Sequence, residues 1–209
     1  VPLCLFLLWW VASNEQWMPA QILPTPKDTW HSFVEIASQD LWSQLAISLE
    51  RFGIGLLSGV LGGVFLGVLL GYSRIAEQYL SATFYALVII PTLAWLPLLM
   101  IWLGIENSLK IFIIFKATMV PIALHTQAGV RDIQPKLKEM AAILQFNRLT
   151  LLTKLVLPAT LPYFFTGLRF AVAAGWTSLI AVELLASSEG IGYLMVTGRQ
   201  LFQLDIVFV

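Results

Sequence analysis

The residues of this chain that could do chemistry are few and far apart. Its two histidines, His31 and His125, have no cysteine or carboxylate at metal-ligand spacing, so we expect no metal site. The single cysteine, Cys4, lies in an apolar run and has no second cysteine to pair with. The phosphate-cradling pattern G-x-x-x-x-G-K-[ST] does not occur. The sequence therefore predicts no catalytic centre and no nucleotide bound by this chain.

Three ionisable residues lie within or at the end of long apolar runs. Lys116 and Arg169 stand inside such runs, and Glu183 stands at the end of one. Charged groups in apolar segments are costly, and they often mark functional sites in membrane proteins. One interpretation is the coupling site of an ion-driven carrier for a small anion. Against it, Arg169 and Glu183 would be about 21 Å apart on one helix, which is too far for them to pair.

The composition is that of a membrane protein. Hydrophobic residues make up 58% of the chain and charged residues 11%, against about 25% charged residues in soluble domains. Mean hydropathy is +0.83. A net charge of zero gives no basis for binding nucleic acid. Four segments have the roughly 20 apolar residues that a membrane-spanning helix needs: Phe52–Tyr72, Tyr79–Ile105, Ile111–Val130 and Leu155–Val182.

Both ends of the chain resemble parts of further spans. Val1–Ala12 is apolar but too short to cross a membrane, and Ile206–Val209 resembles the beginning of a span. The core of a secretory signal is the alternative interpretation of the first segment. We expect a truncated first and a truncated last span, and about six spans in the intact subunit. The predicted fold class is all-α: a polytopic membrane helical bundle that forms one transmembrane domain over residues 1–209.

The positions of lysine and arginine predict the orientation of this domain. Gly129–Leu157 holds five of these residues, whereas Ser13–Glu50 holds only Lys27. Cytoplasmic loops of membrane proteins are enriched in lysine and arginine. We therefore expect residues 130–157 to face the cytoplasm and residues 13–50 to form a segment on the outer side of the membrane.

The first complete span carries glycine at every fourth position. Such a stripe lies along one face of a helix and lets another backbone approach closely. We interpret it as a helix-packing surface, with the lining of a conduit as the alternative. The glycines of this surface are Gly55, Gly59, Gly63 and Gly67, and Gly71 continues the series.

The second complete span is interrupted by proline. Pro91 and Pro97 flank Trp95, so the backbone cannot form one regular helix throughout. Broken helices in membranes are tolerated mainly where they are buried in protein or line a cavity. We interpret Pro91, Trp95 and Pro97 as candidates for the wall of a path through the membrane, with a kink for packing as the alternative. Lys116 would add positive potential for an anion, or would snorkel or pair with a carboxylate such as Glu183.

The cytoplasmic segment contains a short amphipathic pattern. Pro135 sets a helix start, and Leu137, Met140, Ala141 and Leu144 follow at helical spacing. An apolar stripe on a short helix outside the membrane suits a groove on a partner protein. The alternative is a helix that packs on the ends of its own spans.

The motifs resemble those of a known family. Glu139-x-Ala141, followed by Pro158, resembles the EAA loop of permease subunits from bacterial ATP-binding cassette (ABC) importers. Three further motifs are similar to the branch of that family that imports nitrate, aliphatic sulfonates and taurine, so the likeness extends over most of the chain. They are LPTP at Leu23–Pro26, PTLAWLPLLMIWLGI at Pro91–Ile105 and SSEGIGYLM at Ser187–Met195.

The resemblance implies a permease subunit in the bacterial inner membrane that moves a small anion of the sulfonate, taurine or nitrate type. It also implies a homodimer with a second copy, two cytoplasmic ATPase subunits that bind ATP and magnesium, and a periplasmic solute-binding protein. This chain would then be no enzyme and would hold no cofactor of its own. The residues that the resemblance assigns to coupling with the ATPase are Glu139, Met140, Ala141, Ala142, Gln145 and Pro158.

One coupling residue departs from the family pattern. Gln145 stands where the family usually has glycine. Glycine would end the helix in a left-handed conformation, which glutamine adopts less readily. We therefore expect the turn after this helix to have a different shape.

Overall fold

A computed structural model describes residues 1–19 and 22–209, apart from the side chains of Lys138, Ala142 and Arg148. All regular structure in these residues is helical. The helices are α1 (Pro2–Asn14), α2 (Pro26–Gln39), α3 (Leu41–Tyr72), α4 (Arg74–Ile89), α5 (Leu96–Leu103), α6 (Asn107–Arg131), α7 (Pro135–Ile143), α8 (Arg148–Leu151), α9 (Leu157–Ala186), α10 (Ile191–Gln200) and α11 (Leu204–Phe208).

Three of the predicted spans are single helical segments that are long and apolar enough to cross a membrane: α3, α6 and the continuous segment Leu149–Ala186. α4 and the segment Thr92–Leu103, bent by 94° at the break between them, meet this criterion only when they are taken together. We call this pair the fourth span. The prediction of an all-α, polytopic membrane protein is confirmed.

The chain divides into two compact units. The first comprises Val1–Glu50 and Ile180–Val209, and the second comprises Arg51–Leu179. In the first unit, the indole N–H of Trp9 donates to the carbonyl of Pro24 at 3.1 Å, and its ring stacks on Phe208. These contacts hold α1 against α11 and against the residues that lead into α2.

The second unit is built around α6. In the most apolar stretch of α6, 56% of the residues are buried, against 28% for α3 and for Leu149–Ala186. Leu109, Ile113 and Ile122 of α6 have no exposed surface, which makes this helix the core to which the others pack.

The glycine stripe of α3 lies against α6. A β-carbon built on Gly63 would stand 2.7 Å from the β-carbon of Ile122, which is closer than real β-carbons approach other atoms. Glycine is needed at such positions because it allows the backbones to come together. Each step of four residues along the glycines of α3 is matched by a step of four residues along α6, so the two helices run in the same direction. The pairs are Gly55–Ile114, Gly59–Thr118, Gly63–Ile122, Gly67–Thr126 and Gly71–Val130.

The bend in the fourth span follows from its prolines. Pro91 has no N–H, and it disfavours helical geometry at the residue before it; Ile90 is extended, with ψ of 117°. α4 therefore ends at Ile89, and a 3₁₀ turn (Thr92–Trp95) leads into α5. Pro97 occupies the first turn of α5, where its missing N–H is tolerated. The predicted irregular backbone between the prolines is confirmed.

Candidate functional site

The helix that the EAA resemblance singles out is α7. It begins at Pro135, as predicted, and connects α6 to the helical segment that contains α9. Its apolar residues do not form one exposed stripe. Ala141 is 5% exposed and packs against its own chain, whereas Met140, Ile143 and Leu144 are 56%, 80% and 61% exposed. We call Met140, Ile143 and Leu144 the exposed α7 surface.

Two features of this surface differ from the prediction. The predicted stripe included Ala141, whose burial depends on how α7 lies on the rest of the chain. It omitted Ile143, although positions i, i+3 and i+4 from Met140 share one face of a helix. Glu139 is exposed on the same helix, and the side chain of Ala142 lies outside the described residues.

The turn that follows α7 has the shape that glycine would give it. Gln145 has φ of +50°, in the left-handed region. The N–H of Phe146 donates to the carbonyl of Ala141 at 3.0 Å, the bond that defines a Schellman helix end. The expectation of a differently shaped turn is therefore wrong. A non-glycine residue in this conformation carries a cost of about 1–2 kcal/mol.

The chain re-enters a helix directly after this turn. The side-chain oxygen of Asn147 accepts from the N–H of Thr150 at 2.7 Å and caps α8. A π-helical turn, Leu152–Val156, precedes Pro158, which has no N–H to offer the carbonyl of Lys154. α8, this turn and α9 form one continuous helical segment. Gln145 and Asn147 are thus the short link between α7 and a membrane span.

A cavity of about 470 Å³ lies beside the break in the fourth span. Of the predicted path residues, Pro91 and Lys116 line it, while Trp95 and Pro97 lie outside its wall. His125 and residues of α9 were missed in the sequence because three distant segments build the wall. They are Val88, Ile90, Pro91 and Thr92 at and just before the break; Lys116, Ala117, Val120, Pro121, Leu124 and His125 on α6; and Phe170, Ala174 and Ser178 on α9.

Lys116 connects α6 to the break. It is 7% exposed, and its ammonium donates to the carbonyl of Ile90 at 3.1 Å. The same ammonium lies 5.6 Å from the centre of the Trp95 ring, within the range of a cation–π interaction. Ile90 stands outside any helix, so its carbonyl has no helical N–H to accept from. Lys116 therefore satisfies a backbone group that the broken span exposes.

Glu183 belongs to a polar cluster in the first unit. It is almost fully buried, and the hydroxyl of Ser48 lies 2.9 Å from both carboxylate oxygens. The N–H of Gly192 donates to the same carboxylate at 3.0 Å, and the N–H of Ile191 donates to Ser48 at 2.9 Å. These bonds hold the turn after α9 in place. In the sequence, this turn is indicated only by the close spacing of Gly190 and Gly192.

Comparison with known proteins identifies the family. Residues 59–209 match the family described as binding-protein-dependent transport system inner membrane component. The chain is 37% identical over 210 residues to the aliphatic sulfonates transport permease protein SsuC of Escherichia coli, covering 100% of this chain and 80% of that protein. It is 32% identical over 209 residues to the taurine transport system permease protein TauC of Escherichia coli, covering 97% and 76%. It is 37% identical over 155 residues to the nitrate import permease protein NrtB of Leptolyngbya laminosa, covering 74% and 56%. The chain therefore belongs to the family of binding-protein-dependent transport system inner membrane components, as a multi-pass permease subunit of an ABC importer.

Proposed function

We propose that this permease moves a small oxyanion inward across the inner membrane, with aliphatic sulfonates as the first class of solute to test. Two relatives named for aliphatic sulfonates and taurine match 97–100% of the chain, whereas the relative named for nitrate matches 74%. Taurine and nitrate are the next solutes to test. All three share a negatively charged group with several oxygen acceptors.

The energy for this movement comes from partner chains. The proposed assembly contains two copies of this permease, two cytoplasmic ATPase subunits that bind ATP and magnesium, and a periplasmic solute-binding protein. The observation that carries this proposal is the exposed α7 surface. Met140, Ile143 and Leu144 present apolar side chains on a short helix outside the spans. Burying such surface in a partner groove is favourable, by about 25 cal/mol for each Å² removed from water.

The link between α7 and α9 supports a mechanical role for this helix. The turn at Gln145 and the Asn147 cap are hydrogen-bonded, so a displacement of α7 is passed to the helical segment Leu149–Ala186. In the proposed cycle, ATP binding closes the two ATPases, draws the two α7 helices together and opens the path outward. Hydrolysis resets it inward. The loaded binding protein and ATP both favour the outward-open state, which couples them thermodynamically.

Uptake into proteoliposomes tests the proposal directly. The complete transporter, with its ATPase and binding protein, is reconstituted and given labelled ethanesulfonate, taurine or nitrate. We expect uptake that requires enclosed ATP and the binding protein and that persists when ion gradients are collapsed. Uptake that follows an ion gradient without ATP would contradict the proposal and favour a secondary carrier.

A further inference from the structure

We propose that the cavity beside the broken span is a binding site for the head group of a small oxyanion that carries a short aliphatic group. This inference rests on the proposed function and deepens it. It specifies where in the permease the solute binds and which member of the solute class binds best.

The charge of the cavity favours an anion. The ammonium of Lys116 has three N–H donors and gives one of them to the carbonyl of Ile90, which leaves donors for a ligand. His125 adds a second nitrogen-bearing side chain to the wall. Among the lining residues, all within the described part of the chain, there is no aspartate or glutamate. A buried cation without a lining carboxylate creates positive potential, which acts strongly in a medium of low dielectric constant.

Hydroxyl groups add to this head-group site. Thr92 comes from the break and Ser178 comes from α9, so residues that carry a hydroxyl donor line the cavity from two different elements. A sulfonate has three oxygens and can accept from an ammonium and from hydroxyls at the same time. Bonds between a charged donor and an oxyanion are among the stronger hydrogen bonds in proteins.

The rest of the wall is apolar. Val120, Leu124, Phe170 and Ala174 face the cavity, and Phe170 stacks on the His125 ring with centroids 5.5 Å apart. The volume of about 470 Å³ lies in the usual range for small-molecule sites, roughly 300–1,000 Å³. An apolar wall favours a solute with an alkyl group, which nitrate lacks. The cavity wall has no carboxylate that could pair with the ammonium of taurine. We therefore expect ethanesulfonate to bind more tightly than either.

The test measures direct binding to the permease. The complex with its ATPase, without the binding protein, is placed in nanodiscs of phosphatidylcholine and titrated with ethanesulfonate. Binding is followed by the shift in melting temperature and by the fluorescence of Trp95, obtained as the difference from Trp95→Phe. We expect Lys116→Met to weaken binding about 10- to 100-fold, the usual range for losing a charged hydrogen bond. Lys116→Arg should retain most of the affinity.

Lys110 provides the matched control. It is also a buried lysine of α6 whose ammonium donates to a backbone carbonyl, that of Ile105 at 2.8 Å, but it lies outside the cavity wall. Lys110→Met should leave ethanesulfonate affinity unchanged. Should Lys116→Met fail to assemble, Ser178→Ala takes its place, with Thr177→Ala as control. Thr177 is exposed on the same helix, and within the described part of the chain its hydroxyl donates to the carbonyl of Ala173 on that helix.

Two results would overturn the inference. One is an ethanesulfonate affinity that stays the same in Lys116→Met and Ser178→Ala. The other is binding of a lipid head group instead, seen as no response to ethanesulfonate but a Lys116-dependent stabilisation when phosphatidylglycerol is added to the nanodiscs. ATP-dependent uptake by the unmodified transporter is measured in parallel. If that uptake is present, either result contradicts the proposed binding site but not the proposed function.

Discussion

Gly59 of α3 lies directly against Thr118 of α6: a β-carbon on Gly59 would stand 1.8 Å from the Thr118 hydroxyl oxygen. Any larger residue must push the two helices apart. We predict that Gly59→Leu destabilises the permease by about 1–3 kcal/mol, the usual effect of overpacking, and lowers its melting temperature in detergent.

The control for this prediction lies on the same helix. A β-carbon on Gly53 would meet nothing within 4 Å. Gly53→Ala should be neutral or stabilising, by up to about 1 kcal/mol, because alanine favours a helix. Equal melting temperatures for Gly59→Leu and Gly53→Ala would contradict the packing described for α3 and α6.

Gln145 holds a left-handed conformation that glycine adopts without a steric cost. We predict that Gln145→Gly stabilises the permease by roughly 0.5–1 kcal/mol and that Gln145→Val destabilises it, since a β-branched residue is poorly tolerated at positive φ. Thermal melting measures both. A lower melting temperature for Gln145→Gly would mean that the glutamine side chain supplies more than its backbone conformation costs.

Substitutions at Ile143 and Ala141 of α7 test two different properties, the binding of the ATPase and the stability of the permease. Ile143→Asp places a charge on the exposed α7 surface, so we predict about tenfold or greater loss of ATPase affinity with an unchanged melting temperature of the isolated permease. Ala141→Leu adds volume at a buried position and should lower that melting temperature. Copurification with the ATPase gives the first readout. If Ile143→Asp copurifies normally, the exposed α7 surface is not where the ATPase binds.

Ser48 bridges the Glu183 carboxylate and the N–H of Ile191. We predict that Ser48→Ala costs about 1–3 kcal/mol, because it removes hydrogen bonds from buried polar groups. Ser58 lies on the same helix, and among the described residues its hydroxyl bonds to the carbonyls of Ile54 and Gly55 of that helix. Ser58→Ala should change stability by no more than about 0.5 kcal/mol. Similar unfolding free energies for the two variants would show that the cluster contributes little.

The features predicted correctly from sequence are those that depend on a single segment. Pro91 ends a helix and Pro135 starts one, and both effects arise from a missing N–H and a fixed φ. The turn at Gln145 was mispredicted because its conformation is held by a hydrogen bond between Phe146 and Ala141 and not by intrinsic preference. The cavity could not be predicted at all, since Thr92, His125 and Ser178 meet only when three helical segments pack together.

The parallel pairing of α3 and α6 limits how this permease can move. From Gly55 to Gly71, each glycine is matched by a side chain of α6 at a constant offset along the sequence. Sliding one helix along the other would move these α6 side chains away from the glycines that make room for them, and the next match lies about 6 Å further on. The close contacts at these glycines therefore oppose sliding of α3 along α6. We expect the relative motion of the proposed transport cycle to occur elsewhere, at the bend before Pro91, where the backbone is not helical and the carbonyl of Ile90 is bound by Lys116 of α6.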